Sequence, residues 1–201
     1  PMRIPESRTA TPPPLAKTPT LSGPVKDAIC GPFVLSYGTT GTEDETARNR
    51  ANAEQFVADW EAWAHGSPRI MSDVALLEQI EAYGVKFHLW CFGTPMTHAY
   101  LARIGGQLPY KFTGDGYGVG DRLLRGKGMG FVGLYPNPGY ASRYVVIVDG
   151  LYYGRSLSFN HKWDLVPDYL IFGAETNPYD STNKARLGGL FNAFWEYDEA
   201  L

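Results

Sequence analysis

The chain has 201 residues, of which 44% are hydrophobic, 14% aromatic and 19% charged, a composition that favours one globular domain over two and argues against disorder throughout. Its net charge of -3 offers no broad attraction for nucleic acid or an anionic membrane surface. No apolar run approaches the roughly 18 residues that span a bilayer.

Residues 1–23, rich in Pro, Thr and Ser, read as an extended interdomain linker or arm on the surface, followed by a single α/β domain over 24–201. The first residue is proline with no Met before it, which suggests a piece of a longer polypeptide. "PFVLSYG" (32–38) predicts a buried strand ending in glycine. Helical spacing follows, with Ala53, Phe56, Val57, Trp60 and Trp63 recurring at three and four and Gly66 as a stop. "SPRIMSD" (67–73) predicts a short strand, and Ser72 or Asp73 then caps a second helix. "VKFHLWCFG" (85–93) is a central strand, and a third helix is expected from about Pro95 to the Gly105–Gly106 pair. This β-α-β-α-β-α order implies a parallel sheet.

The second half is different. Gly114, Gly116, Gly118 and Gly120 alternate as in a β-ribbon with one thin face. Pro136 to Gly139 is turn chemistry between two strands, "PDYLIFG" (167–173) is another strand, and Phe191, Phe194, Trp195 and Tyr197 sit at helical spacing near the C-terminus. The expected fold is therefore a three-layer α/β sandwich, flavodoxin- or Rossmann-like in its parallel first half, with a mixed sheet and β-hairpin additions in the second.

The candidate ligand residues are Tyr37, Gly38, Thr39, Thr40, Gly41 and Thr42 after the first strand, with Gly93, Thr94 and His98 after the central one. Strand ends of this kind face one crevice if the strands are parallel neighbours. "YGTTGTEDET" resembles the phosphate loop of flavodoxins, which makes a phosphate or FMN the sharp alternative to no cofactor. Against that, Thr42 and Glu45 match a capping box, and Glu43, Asp44 and Glu45 repel phosphate. "GDRLLRGKGMG" has Gly128 where a phosphate loop needs Ser or Thr, and "GRSLS" lacks the closing glycine of a nucleophile elbow. No spacing points to a metal site, and Ser36 or Thr39 as a nucleophile has no base that the sequence identifies. His88 reads as a satisfied sheet residue, His65 as the end of the first helix. Cys91 reads as a buried thiol, with a Cys30–Cys91 bridge left open.

Three stretches taken together, "KTPTLSGPVKDAICGPFVLSYGT", "FHLWCFGTPMTHAYLARIGGQLPYKF" and "GFVGLYPNPGYASRYVVIVDG" with "LVPDYLIF", resemble the C-terminal module of bacterial prolyl oligopeptidase-like α/β-hydrolase proteins. The resemblance spans most of residues 17–172. It implies an upstream α/β-hydrolase domain in the same polypeptide that carries the catalytic serine, and a secreted or periplasmic parent. The expectation is a non-catalytic accessory domain serving packing, homo-oligomerisation or substrate presentation, with a small-ligand-binding domain as the alternative. No nucleic-acid partner and no membrane span are expected.

Overall fold

The computed structural model describes residues 15–155, 157, 159–164, 166–176 and 185–200, so most of the expected arm lies outside the described residues. The first apolar run forms β1 (Phe33–Tyr37), with Val34, Leu35 and Ser36 buried. Thr42 then caps α1 (Glu43–Ala64) through the expected box: its hydroxyl accepts the Glu45 amide, and the Glu45 carboxylate accepts the Thr42 amide. The helix ends one residue before Gly66, at His65 in the left-handed region. Because this cap satisfies two amides that have no helical partner, Thr42→Ala is expected to cost about 1 kcal/mol, read as a lower urea midpoint. An unchanged midpoint would mean that water replaces the cap without loss.

β2 (Ile70–Ser72) and α2 (Asp73–Tyr83) follow, with the Ser72 hydroxyl accepting the Ala75 amide. β3 (His88–Phe92) is buried along its whole length. α3 (Ala99–Ile104) begins at Ala99, not near Pro95, because Thr94 to Thr97 close a turn first: the Thr97 amide donates to the Thr94 carbonyl, and the Thr94 amide to Thr97 Oγ1. The glycine-alternating stretch is the expected ribbon. β4 (Tyr110–Thr113), β5 (Gly116–Val119) and β6 (Arg122–Arg125) form a separate three-stranded antiparallel sheet.

β7 (Met129–Asn137) and β8 (Tyr140–Gly150) make a hairpin around Pro138 and Gly139. α4 (Phe159–Lys162), β9 (Tyr169–Gly173) and β10 (Leu187–Gly189) complete the elements. The main sheet has seven strands in the order β10-β9-β7-β8-β3-β1-β2. β2, β1, β3 and β8 run parallel, with Leu35 opposite both Ile70 and Trp90. β7 is antiparallel to β8 and β9, and β10 to β9. The class is mixed α/β with a mixed sheet.

α1 packs on β1, β3, β8 and α4, whereas α2 packs on β1 and α3. The core below α1 is aromatic: Phe56 lies 4.9 Å from Trp90, and Trp90 5.0 Å from Trp163, between ring centroids. The Trp90 indole N–H is satisfied by the Ala28 carbonyl. His88 is a sheet residue as expected, its Nδ1 accepting the Tyr144 amide. Cys30 is exposed and Cys91 buried, both as free thiols.

One expectation changes near the C-terminus. Residues 185–200 form β10 and turns in place of a docking helix; Gly188 and Gly189 weaken a helix, and Asn192 Oδ1 folds the chain back by accepting the amides of Phe194 and Glu196. Phe191 and Trp195 are buried, but Phe194 is exposed. The described part of the arm is docked. The Lys17 amide donates to the Ala193 carbonyl, Thr18 pairs with Leu21, and Leu21 is buried.

Candidate functional site

β1 has β2 on one side and β3 on the other, so the order of connection reverses there, and open α/β sheets bind ligands outside the carboxyl ends of such strands. The structure brings most of the expected residues together at this point, but it bonds them to one another. The Gly38 amide donates to the Phe92 carbonyl at 2.9 Å, and the Thr40 amide to the Thr97 carbonyl at 3.3 Å. Asn49, from α1, bridges the Gly38 carbonyl and Thr97 Oγ1. A Cβ on Gly38 would lie 2.1 Å from the Thr97 carbonyl oxygen, so only glycine permits this approach. The Gly93 amide is held by the Val148 carbonyl, and Thr42 belongs to the cap. Gly41 packs against Glu45 and Thr97, and Tyr37 is half-buried under Arg50.

Asp73 fastens the two loops. Its Oδ1 accepts the Thr39 hydroxyl at 2.6 Å, and its Oδ2 the Ala99 amide at 2.7 Å. Burial alone would raise its pKa, but the Ala99 amide, the Thr39 groups and nearby His98 together hold it below the ordinary carboxylate range. A fixed carboxylate beside the loop, with the amides of residues 38, 40 and 42 already engaged, opposes the phosphate or flavin phosphate expected as the alternative ligand.

One encounter was not legible in the sequence. His98 Nε2 lies 3.1 Å from Ser36 Oγ, with both residues fully buried. A serine beside an imidazole suggests nucleophilic catalysis, where the ring takes the serine proton. Here the other ring nitrogen, Nδ1, accepts the Leu101 amide as the N-cap of α3. Burial lowers the His98 pKa to about 4 against the pull of Asp73, which leaves the ring neutral, and the Leu101 amide 3.4 Å from Nδ1 favours the tautomer with its proton on Nε2. In that tautomer the imidazole donates to Ser36 Oγ and has no Nε2 lone pair to offer the hydroxyl. The pair is a structural staple between β1 and α3.

An open cavity of about 350 Å³ lies beside this closed junction, over the carboxyl end of β8. Arg48, Thr94, Thr97, Tyr117, Lys127 and Asp149 contribute to its walls; of the expected ligand residues only Thr94 does so. Arg48 and Gly150 also border a neighbouring cavity of about 650 Å³. Asp149 is 6% exposed. Its Oδ2 accepts the Tyr117 hydroxyl at 2.6 Å, and its Oδ1 is 3.5 Å from the Arg48 guanidinium with no hydrogen-bond partner. Burial pushes its pKa up, against the pull of Tyr117, Arg48 and the Gly150 amide, and the negative charge of Glu45 adds to the rise. The only local sequence signal was an Asp-Gly pair closing the strand "RYVVIVDG"; nothing local connects it to Arg48 a hundred residues earlier.

Among the described residues no group of three or more His, Cys, Asp or Glu is placed to hold a metal ion, and no helix is long and apolar enough to cross a membrane. No family model, no curated protein and no solved structure matches the chain.

Proposed function

We propose that this chain is a non-catalytic accessory domain of a larger hydrolase, with a flavodoxin-like three-layer arrangement around its four parallel strands. The observation that carries this reading is the Ser36–His98 pair, a nucleophile and an imidazole in contact whose ring proton resides on the wrong nitrogen for catalysis. Support for the hydrolase as parent comes from the stretches that resemble the C-terminal module of prolyl oligopeptidase-like proteins. Such a parent is secreted or periplasmic, and the domain serves its packing or presents ligands to it.

The test is direct. The purified chain is assayed with activated esters and with chromogenic peptides, alongside Ser36→Ala and His98→Gln. All three proteins are expected to match the buffer rate. Turnover above buffer that Ser36→Ala abolishes would overturn the reading.

A further inference from the structure

The larger cavity, of about 650 Å³, opens at the same end of the sheet as the closed junction. β7 is antiparallel to both β8 and β9, so those two strands point the same way, and their last residues, Gly150 and Gly173, both border it. It therefore lies outside the carboxyl ends of two strands, where open α/β sheets take their ligands. Its volume falls within the roughly 300–1,000 Å³ of small-molecule sites.

Its walls divide into two chemistries. Phe172, Tyr152 and Leu151 give an apolar surface, and the Tyr152 hydroxyl is spent on Asp59. Arg48 and Arg155 are exposed at the rim, and no Asp or Glu is among the described residues that line the cavity. The carboxylates around it each have a cation of their own: Asp149 has Arg48 at 3.5 Å, Asp59 has Lys162, and Glu175 has Arg186 at 3.3 Å. Glu45, one turn before Arg48 on α1, lines only the cavity over β8 and is held by the Thr42 cap. The Arg155 guanidinium forms no ion pair and no hydrogen bond with another described residue. One positive charge is thus left over beside an apolar wall. Asn52, 5% exposed, spends one amide N–H on the Gly150 carbonyl and has a second to offer.

A lone guanidinium over an apolar wall selects an amphipathic anion. The planar fork of arginine matches a carboxylate through two parallel N–H bonds. A phosphate carries more negative charge than Arg155 alone offsets, and it brings no apolar body to cover Phe172 and Leu151. We propose that this cavity binds a monocarboxylate on a short apolar body, an aryl or acyl-chain acid, with the carboxylate on Arg155 and the body against Phe172, Tyr152 and Leu151. The site does not use the Ser36–His98 junction, so its failure would leave the accessory-domain reading standing.

Amide-detected NMR of the whole chain, titrated separately with hydrocinnamate, octanoate, hydrocinnamamide, acetate and inorganic phosphate, tests it. Hydrocinnamate or octanoate is expected to give saturable shifts at Tyr152, Arg155 and Gly173. Hydrocinnamamide lacks the charge and acetate the body, so these two and phosphate are each expected to bind about tenfold more weakly or not at all. Arg155→Gln is expected to weaken the acid about tenfold or more and to leave the far-UV spectrum unchanged, because Arg155 is exposed and holds no other described residue. No saturable shift with either acid, binding of the amide, acetate or phosphate as tight as that of the acid, or acid binding that Arg155→Gln leaves intact would each overturn the proposal.

Discussion

Asp168→Ala is expected to destabilise the protein by about 3–5 kcal/mol, the usual cost of breaking a buried ion pair from one side. Asp168 is fully buried immediately before β9 and accepts from Lys17 Nζ at 2.7 Å and from the Phe191 amide at 2.9 Å. Lys17 is held by the docked arm and also lies 4.8 Å from the Trp195 ring centroid. One carboxylate thus joins the arm, β9 and the C-terminal segment. Burial raises its pKa despite Lys17 and the Phe191 amide, so the charged form is held against burial by these two partners and is disfavoured further when either goes. Asp168→Asn keeps an acceptor for Phe191 and is expected to cost less than alanine. Urea unfolding of both variants checks this. A loss below about 1 kcal/mol for alanine would show that the arm and C-terminal segment do not depend on the carboxylate.

The second large effect is expected at Asp73. Asp73→Ala leaves the Thr39 hydroxyl and the Ala99 amide without their charged acceptor, for a loss of about 3 kcal/mol at neutral pH. The sign of the pH dependence follows from the lowered pKa. The Asp73 contribution is complete above the ordinary carboxylate value and disappears as the pH falls through its lower folded value. His98 acts in the same direction at higher pH. Burial lowers its value to about 4 although Asp73 pulls it up, so stability falls as the pH drops from the unperturbed histidine range toward 4, and more steeply in Asp73→Ala, which lacks that pull. The gap between wild type and Asp73→Ala should therefore widen as His98 charges and then narrow below pH about 4 as the Asp73 carboxylate is protonated, measured as urea midpoints across a pH series. A gap that stays constant into acid would exclude the Asp73 carboxylate as its source.

The sequence displays what short-range patterns encode. β1, β3, β7, β8 and β9 are apolar runs with turn residues at their ends, and the Thr42–Glu45 box is a local motif, so each was readable without a partner in view. The spacing of Phe191, Phe194 and Trp195 misled because a helical period records only which residues are apolar. Gly188, Gly189 and the Asn192 side chain decide the backbone there. The crevice followed from the βαβ order, but its closure depends on Asn49 and Asp73, which reach the loops from two different helices. Ser36 with His98, and Arg48 with Asp149, are contacts between distant segments that no periodicity carries.

The seven-stranded sheet ends on both sides in its shortest members, since β2 and β10 have three residues each. An edge of that length offers a second chain few free backbone groups, which is how sheet proteins avoid extending into one another. Strand addition between copies therefore gains little from this sheet, and self-association, if selected for, has to come through side-chain surfaces. Trp63, at the end of α1 and 47% exposed, and Val74 and Tyr83 on α2, 50% and 68% exposed, supply apolar area that a backbone ladder would not use.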